Sequence, residues 1–290
     1  MPPPLWEVTA CLADSGSHPV FEVDAIRYSY LDATGLDGIS FRIDAGEKVA
    51  LLGANGSGKS TLLKLLDGLI FPSEGEVRAF GAALSEEALS DDGFSRGFRR
   101  RVGFVFQNSD TQLFSPSVRE EIAFGPLHLG LPAAEVEDRV RDTLHILGLE
   151  HLRERAPYHL SGGEKKKVAL ASVLAIDPEV LLFDEPTAGL DPKTEEFLLQ
   201  MMDELNRAGK TLVTATQDMR IVEHAASRAI VLGEDHRLAG QGEAAAVLAD
   251  TGLLLGANLV HHHAHRHDGV EHRHPHSHVE DHAHRHSGTP

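Results

Sequence analysis

The sequence predicts a mixed α/β domain built on a parallel β-sheet, and three features support this fold class. A glycine-rich loop, Gly53–Thr61, lies between an apolar run predicted to be a strand and a run predicted to be a helix. A second apolar run, Val180–Phe183, is typical of a buried parallel strand and ends in two carboxylates, Asp184 and Glu185. Strand-like and helix-like runs then alternate up to residue 232, as they do in parallel sheets with helical crossovers.

The N-terminal part of the domain is predicted to place an antiparallel layer beside this sheet. Residues 1–19, with three consecutive prolines, are expected to be a flexible extension. Phe21–Tyr30 and Gly38–Asp44 show the apolar–polar alternation of antiparallel strands. A polar segment at Ser85–Gly97 lies between two more predicted strands. The other strands and the helix predicted here are Lys48–Leu52, Ser60–Leu69, Glu76–Phe80 and Val102–Phe106.

A helical subdomain is predicted over about residues 117–175. Val136, Val140, Leu144 and Leu147 recur there at helical spacing before a glycine that ends the helix. The later strands and helices are predicted at Val180–Phe183, Lys193–Asn206, Thr211–Thr216, Met219–Ala226 and Ala229–Leu232. The expected organisation is therefore a domain at 20–240, a short C-terminal segment at 241–260 and a histidine-rich tail at 261–290.

The glycine-rich loop predicts a nucleotide site, and we call it the phosphate loop. It fits the pattern G-x-x-x-x-G-K-S/T, in which backbone N–H groups surround the phosphates of a nucleotide. Lys59 is placed to reach the outer phosphates, and the Ser60 hydroxyl to ligate Mg²⁺. A ligand-free glycine turn would not explain why lysine and serine follow in that order. The predicted phosphate contacts are Gly53, Asn55, Gly56, Ser57, Gly58, Lys59, Ser60 and Thr61.

The two carboxylates after the second apolar run have distinct predicted roles. Asp184 suits the Mg²⁺ site, directly or through water, and Glu185 is placed to polarise the attacking water. The alternative is that they merely end a strand, but the phosphate loop upstream favours the functional interpretation.

A second glycine-rich stretch, Leu-Ser-Gly-Gly-Glu at Leu160–Glu164, opens a helical run before the second apolar strand. With these motifs, the chain resembles the ATPase subunits of ATP-binding-cassette transporters over about residues 20–240. The resemblance implies ATP and Mg²⁺ as cofactors, with Mg²⁺ held by Ser60, Gln107 and Asp184. It also implies a homodimer that sandwiches ATP head to tail, so that the stretch Ser161, Gly162, Gly163 contacts the γ-phosphate held by the other subunit. The motifs that carry it are Tyr30 (adenine stacking), Gly53–Thr61 (Walker A), Gln107 (Q-loop), Leu160–Glu164 (signature), Leu181–Glu185 (Walker B), Ala188–Asp191 (D-loop) and Gln217 (switch).

The switch position departs from the family pattern. The family normally has histidine there, whereas this chain has Gln217 followed by Asp218. A glutamine donates and accepts hydrogen bonds without a titratable charge, and it orients attacking water in other phosphate-loop enzymes. Gln217 is therefore predicted to be catalytic together with Glu185, and the alternative is a regulatory subunit that has lost this catalytic position.

The region after Gln107 is similar to the ATPases of energy-coupling-factor importers, in particular those for cobalt and nickel. The shared pattern is Phe-Gln-x-x-x-x-Gln-Leu-Phe followed by Val-x-x-x-x-Ala-Phe-Gly-Pro, here within Phe106–Pro126. Importers of vitamins share most of it. Leu113, Phe114 and Phe124 are interpreted as the apolar floor of a docking groove, and packing of the helical subdomain is an alternative role that is compatible with it.

The tail indicates which substrate a transporter with this subunit would carry, because twelve of the nineteen histidines lie in the last thirty residues. Neutral imidazoles suit Ni²⁺, Co²⁺, Cu²⁺ and Zn²⁺, and such a tract is expected to be disordered without metal. A purification tag and a pH-responsive charged tract are the alternatives, although interspersed acidic residues disfavour a tag. The candidate ligands are His261, His262, His263, His265, His267, His272, His274, His276, His278, His282, His284 and His286.

Composition narrows the class of protein further. The formal charge of −17 disfavours nucleic acid as a partner, and the single cysteine, Cys11, fits a reducing compartment. No apolar run approaches the length of a membrane span and no signal peptide is recognisable, so integral membrane subunits are expected as partners. The expected location is peripheral, on the cytoplasmic face of the inner membrane.

The main hypothesis is an ATP-hydrolysing motor subunit of a nickel or cobalt importer. One alternative keeps the motor but changes the cargo to a vitamin or another small molecule. Another is a soluble metal-storage or metal-delivery protein that uses nucleotide as a switch. ATPases that act on ribosomes or chromosomes are disfavoured, because a single cassette without a basic patch or long coiled coil does not suit them.

Overall fold

The computed structural model describes residues 19–31, 33–267 and 270–277. The strands are β1 (Pro19–Tyr30), β2 (Ala33–Asp44), β3 (Lys48–Gly53), β4 (Glu74–Ala79), β5 (Ala82–Ala83), β6 (Val102–Val105), β7 (Val180–Asp184), β8 (Thr211–Thr216), β9 (Arg228–Leu232), β10 (Leu238–Glu243), β11 (Val260–His267) and β12 (Val270–Ser277). The helices are α1 (Lys59–Leu66), α2 (Glu86–Leu89), α3 (Asp92–Arg101), α4 (Val118–His128), α5 (Ala133–Leu147), α6 (Gly162–Leu174), α7 (Pro192–Arg207), α8 (Met219–Ala225), α9 (Ala244–Ala249) and α10 (Thr251–Gly256). The predicted flexible extension lies almost entirely outside the described residues.

The main sheet has the strand order β10-β9-β3-β8-β7-β6. Strands β3, β6, β7, β8 and β9 run parallel, which confirms the prediction, and β10 adds an antiparallel edge. Leu52 of β3 pairs with Thr216 of β8, and Asp184 of β7 pairs with Ala215 of β8. Because parallel strands end at the same edge of a sheet, this register gathers the phosphate loop, the two carboxylates and the switch position at one edge.

The antiparallel layer is confirmed as a four-stranded sheet in the order β2-β1-β4-β5. Its apolar face, the buried side of helix α1 and one face of the main sheet share a core that contains Phe21, Ile39, Leu62 and Leu182. Helix α1 buries Leu62, Leu63, Leu65 and Leu66 almost completely. The helix that follows the phosphate loop is therefore held from both sides, which fixes the direction of its N-terminus.

The helical subdomain is confirmed as helices α4, α5 and α6 with short 3₁₀ turns between them. The predicted apolar stripe of α5 is buried: Val136, Val140, Leu144 and Leu147 are each at most 4% exposed. Helix α5 ends at Gly148, which adopts a left-handed conformation with φ of 65°. The stripe packs into a second core, which the opposite face of the main sheet shares.

The polar segment Ser85–Gly97 contains helical structure that the sequence analysis missed. Ser85 caps α2 by accepting a hydrogen bond from the Ala88 N–H (3.1 Å), and Asp91 caps α3 through the Phe94 N–H (2.8 Å). Phe98 is the one residue that these two helices bury. Without an apolar stripe there is no helical periodicity to detect, and the capping residues were the only available signal.

The C-terminal segment is more closely joined to the domain than its predicted boundary implies. Residue 240 falls inside β10, which pairs antiparallel with β9. Helices α9 and α10 then bury Val247 and Leu254 in a third core together with Leu52 of β3. Residues 241–260 therefore pack on the main sheet.

The backbone at the start of the histidine-rich tail lies within the described residues. The backbones of β11 and β12 form an antiparallel pair, with Val260 opposite Ser277. Pairing between the two strands satisfies backbone hydrogen bonds locally. The side chains of residues 261–277 and all of residues 278–290 lie outside the described part of the chain.

Arg99 of α3 forms hydrogen bonds to the buried residue Asp67 at the end of α1. Arg99 Nη1 donates hydrogen bonds to the backbone carbonyl of Asp67 (2.6 Å) and to its Oδ2 (3.0 Å). Burial raises the pKa of the Asp67 carboxyl to about 7, although the Arg99 guanidinium opposes the shift.

This raised pKa predicts a specific pH dependence of stability. Since the folded state retains a proton that the unfolded state releases, the free energy of unfolding should fall as the pH rises from about 4 to about 7. Asp67→Asn should remove that part of the slope. Urea unfolding of both proteins across this pH range measures it, and an identical slope in the two would contradict the prediction.

Candidate functional site

The phosphate loop connects β3 to α1 in a conformation that requires glycine. Gly56 and Gly58 have φ of 84° and 107°, and Gly58 occupies the N-cap position of α1. A Cβ on Gly58 would lie 2.6 Å from the carbonyl oxygen of Gly35. The N-cap makes no side-chain hydrogen bond to α1, and the first turn contains no acidic residue. The N–H groups of this turn and the helix dipole together suit an anion such as a phosphate.

Lys59 lies inside the loop. Its Nζ donates hydrogen bonds to the carbonyls of Gly53 (2.8 Å) and Ala54 (3.1 Å) and lies 3.7 Å from Glu185 Oε1. The side chain is 6% exposed. Burial lowers the pKa of the Lys59 ammonium, and the nearby carboxylates of Glu185 and Asp184 oppose that shift. The lysine thus presents a positive charge between the phosphate loop and the end of β7.

Ser60 and Asp184 form the second part of the site. Ser60 Oγ donates a hydrogen bond to Asp184 Oδ1 (2.8 Å), which joins the first turn of α1 to the end of β7. Burial raises the pKa of Asp184, while the Ser60 hydroxyl and nearby lysines lower it. A hydroxyl and a carboxylate at this separation form the hard-oxygen set that Mg²⁺ prefers, so the residues present fit that ion.

Glu185 has an unusual backbone and an unsatisfied side chain. Its φ is +42°, a left-handed conformation that costs a non-glycine residue about 1–3 kcal/mol. Within the described chain, its buried Oε1 has no hydrogen-bond partner. Burial raises the pKa of its carboxyl, against the charge of Lys59 and the hydroxyl of Thr216. A strained backbone and a buried oxygen without a hydrogen bond are features found at reactive positions.

Gln217 follows β8 at the same sheet edge. The Glu185 N–H donates to the carbonyl of Ala215 (2.9 Å), which ties the carboxylate to the strand that ends just before Gln217. Asp218 caps α8 by accepting from the Arg220 N–H (2.9 Å) and also pairs with the Arg220 guanidinium. The Gln217 residue is exposed. The structure therefore brings the two predicted catalytic residues to neighbouring positions.

Tyr30 lies beside the phosphate loop, as an adenine-stacking residue would. Its hydroxyl is 3.3 Å from Thr61 Oγ1, and its ring meets Tyr28 edge-on with centroids 4.8 Å apart. The residue is 44% exposed. Part of its ring is thus accessible next to the start of α1.

The signature residues occupy a second helix start. Ser161 and Glu164 form a capping box at α6: Glu164 Oε2 accepts from the Ser161 N–H (2.7 Å) and hydroxyl (2.8 Å). Ser161 and Gly162 are exposed. Among the described residues, no hydrogen bond or ion pair links Ser161, Gly162 or Gly163 to the phosphate loop. Within the described chain, this helix start and Gln107 are parts of the sequence-predicted site that no hydrogen bond or ion pair joins to the phosphate loop.

Gln107 lies just beyond β6 and is exposed. Two side chains that sequence reasoning missed hold this segment. Lys166 Nζ donates to the carbonyls of Phe106 (3.1 Å) and Gln107 (3.0 Å). Gln112 Oε1 accepts from the Phe106 N–H (3.1 Å), and its Nε2 donates to the carbonyl of Ala169 (2.9 Å).

The signal for Lys166 was present in the sequence. It precedes Leu170 and Val173 by four and seven residues, so a lysine occupies the apolar face of α6. The residue is 5% exposed, and burial lowers the pKa of its ammonium to about 8, although Asp184 and Glu185 oppose the shift.

An apolar surface lies on the helical subdomain, and we call Phe114, Phe124 and Leu127 the aromatic patch. These residues are 66%, 47% and 55% exposed, so core packing does not account for them. Phe114 meets Phe124 edge-on at 4.8 Å. The buried carboxylate of Glu121 accepts hydrogen bonds from the N–H groups of Phe114 (2.9 Å) and Ser115 (2.7 Å), which fixes the loop that carries Phe114.

The predicted metal ligands of the tail, His261 to His286, have side chains that lie outside the described residues, and metal binding there stays a prediction. A search of the described helices for one long and apolar enough to cross a bilayer found none.

The family model described as "ABC transporter" matches residues 36–188. A putative ABC transporter ATP-binding protein of Methanosarcina acetivorans is 52% identical over 252 residues, which are 86% of this chain and 91% of the relative. The nickel import ATP-binding protein NikO of Rhodobacter capsulatus is 47% identical over 83% of this chain and 96% of its own length. The solved structure of cbiO1 from Clostridium perfringens, described as part of the ABC transporter complex cbiONQ, aligns with a TM-score of 0.70 at 36% identity, covering 83% of this chain and 95% of that one.

Proposed function

This chain belongs to the ATP-binding-cassette transporter family of ATPases, and from that premise we propose that it is the motor subunit of a nickel or cobalt importer. The observation that carries the proposal is the 47% identity, over nearly the full length of that relative, to a nickel import ATPase. A histidine-rich tail in this chain supports the same cargo, because imidazoles suit these metals.

In the proposed mechanism the phosphate loop binds the phosphates of ATP. The N–H groups of the first turn of α1 and the Lys59 ammonium bind the anionic oxygens, and Lys59 exchanges its carbonyl contacts for them. Ser60, Asp184 and Gln107 would hold Mg²⁺, which, when bound, neutralises phosphate charge. Tyr30 stacks on the adenine ring.

Glu185 is the proposed general base. Its Oε1, which has no hydrogen-bond partner in the described chain, accepts a proton from the attacking water as the bond from that water to the γ-phosphorus forms, and ADP leaves. Its raised pKa strengthens it as a base, while the charge of Lys59 keeps it ionised. Gln217, on the adjacent strand end, orients the same water through its side-chain amide.

A second copy of the chain completes the site in this proposal. The N–H groups at the start of α6 form another anion-binding helix terminus, and hydrogen bonds within one chain leave it apart from the phosphate loop. In a head-to-tail homodimer, Ser161, Gly162 and Gly163 of one subunit would contact the γ-phosphate held by the other. The Ser161 hydroxyl, which donates a hydrogen bond to Glu164 in the single chain, would then donate to the phosphate instead.

The aromatic patch is the proposed docking surface for an integral membrane subunit. Exposed Phe114, Phe124 and Leu127 form an apolar surface that suits an apolar helix face of a partner. Through that partner the protein would lie peripherally at the cytoplasmic face of the inner membrane. Co-purification with hydrophobic subunits from solubilised membranes distinguishes a transport subunit from a metal-storage protein, which would function free.

The tail provides the test of the cargo. Removing residues 261–290 is expected to abolish most Ni²⁺ binding and to leave ATP hydrolysis of the purified protein at the parent rate, because the deleted residues follow every cassette motif. Calorimetric titration of Ni²⁺ into the full-length and shortened chains measures the stoichiometry. Binding to the full chain should weaken as the pH falls through about 6.5, where imidazole takes up a proton and loses its ligand capacity.

Equal Ni²⁺ stoichiometry in the two chains would contradict metal binding by the tail and would favour a vitamin or another small molecule as the cargo. Titration with Mg²⁺ is the matched control, since imidazoles do not favour that ion.

The glutamine at the switch position gives a further prediction. Gln217→Ala should lower kcat by about tenfold or more, because it removes the side-chain donor that orients the water. Gln217→His should keep or raise kcat, since it introduces the residue that the family normally has. Steady-state phosphate release measures both, and an unchanged kcat in Gln217→Ala would assign the orienting role to another residue.

A further inference from the structure

The Phe106–Gln107 segment is fastened to helix α6 by side chains that have no place in the mechanism above. Lys166 reaches the carbonyl oxygens of both residues, at 3.1 and 3.0 Å. Gln112 bridges the Phe106 N–H and the carbonyl of Ala169 in α6, at 3.1 and 2.9 Å. The backbone N–H and C=O of Phe106 are therefore both connected to the same helix.

Burying the charged side chain of Lys166 does not favour folding by itself. The residue is 5% exposed, and an ammonium taken from water costs free energy that carbonyl hydrogen bonds offset only in part. An apolar side chain would fill this position on the buried face of α6 without that cost. The hydrogen bonds of Lys166 go to the backbone that carries Gln107, and the carboxylates of Asp184 and Glu185 act on its ammonium through charge alone.

Helix α6 is also the helix that begins with the signature residues. Ser161 caps its N-terminus, and Lys166 lies one turn further along it. The hydrogen bonds of Lys166 and Gln112 therefore tie Gln107 to the helix that carries the signature. The same segment follows β6, which pairs with β7, the strand that ends in Asp184.

We propose that Lys166 is a positioning residue that, together with Gln112, clamps the Phe106–Gln107 segment to α6 and so fixes the position of Gln107 relative to Asp184. The expected effect of the clamp on catalysis rests on the proposed role of Gln107 in the Mg²⁺ site, whereas the existence of the clamp does not depend on that role.

The first measurement is hydrogen–deuterium exchange of the nucleotide-free protein. Lys166→Met should raise the exchange rate at the Phe106 amide and in the turn up to Leu113 by about tenfold or more. In the parent protein this segment opens only when the hydrogen bonds of Lys166 break, and the variant lacks those bonds. Lys166→Arg should retain protection, since the guanidinium keeps the charge and several donors. Lys167→Met is the matched control: Lys167 is in the same helix but lies over the ring of Phe197, and its loss should leave this segment unchanged.

The second measurement is ATP hydrolysis as a function of Mg²⁺ and ATP. Lys166→Met should lower kcat about tenfold and raise the half-saturating Mg²⁺ concentration, with KM for ATP changing less than about threefold, because positioning is lost rather than phosphate binding. Lys166→Arg should recover most of both. If Lys166→Met does not fold, Gln112→Met, which keeps the lysine, should show the same pattern more weakly.

Parent-like exchange in Lys166→Met, or in Gln112→Met where that variant is used, would overturn the clamp. Raised exchange with parent kcat and Mg²⁺ dependence would overturn the positioning role. Neither result tests the proposal that the cargo is nickel or cobalt, which the Ni²⁺ titration of the full-length and shortened chains tests separately.

Discussion

Glu185→Gln is expected to abolish steady-state ATP hydrolysis while ATP still binds. The substitution keeps the size of the side chain and removes the carboxylate that accepts the proton of the attacking water. A positioned general base contributes about 10²- to 10⁴-fold to the rate, so kcat should fall by about that factor. Because the phosphate loop is intact, the variant should accumulate as an ATP-bound dimer, which phosphate release and size-exclusion chromatography with ATP would measure.

Glu196→Gln is the matched control for this experiment. Glu196 is an exposed carboxylate in α7, hydrogen-bonded through its Oε1 to Gln200 (3.3 Å). Its variant should hydrolyse ATP at the parent rate and remain in the parent oligomeric state. Parent-rate hydrolysis by Glu185→Gln would show that another residue is the base, and Asp184 would then be the next candidate.

Lys59→Ala is expected to weaken ATP binding itself. Lys59 supplies a charge-assisted hydrogen bond to the outer phosphates, worth about 1.5–3 kcal/mol, so Kd for ATP should rise by about 10- to 100-fold. The effect on ATP should exceed that on ADP, because the lysine faces the outer phosphates. Fluorescence titration with a labelled nucleotide distinguishes this binding defect from the hydrolysis defect of Glu185→Gln.

The control for the lysine is Lys48→Ala, at the opposite end of β3. Lys48 makes an ion pair with Asp203 (2.7 Å) that is partly exposed, and such pairs contribute at most about 1 kcal/mol to stability. Its variant should bind ATP as the parent does. Equal Kd values for the parent and Lys59→Ala would contradict the assignment of Lys59 to the phosphates.

Much of the site was predictable because each motif is local in sequence. The phosphate loop needs glycines, lysine and serine at fixed spacing, and the strand before it and the helix after it are both confirmed. Asp184 and Glu185 were predictable because an unbroken apolar run ends in carboxylates. What could not be predicted was the register of β3, β7 and β8, which sets Ser60 Oγ 2.8 Å from Asp184 Oδ1 and Lys59 Nζ 3.7 Å from Glu185 Oε1.

The contacts that hold Gln107 belong to the same class of unpredicted features. Lys166 follows Gln107 by 59 residues and Phe106 by 60, and nothing local connects them. The missed helices at residues 86–89 and 92–101 are a different case. They bury one side chain between them, so their stability comes from caps and from contacts such as that of Arg99 with Asp67, which depend on tertiary structure.

By itself, the sequence determined the chemistry of this protein: a phosphate loop, two carboxylates and a second glycine-rich helix start in fixed order. Spacing along the chain suffices there, because each motif bonds through backbone or side chains only a few residues apart. The tertiary structure alone decided which of these groups meet. It joined Lys59, Ser60, Asp184 and Glu185 at one sheet edge and left the start of α6 apart from them, since strand register and helix packing fix distances between residues that are far apart in sequence.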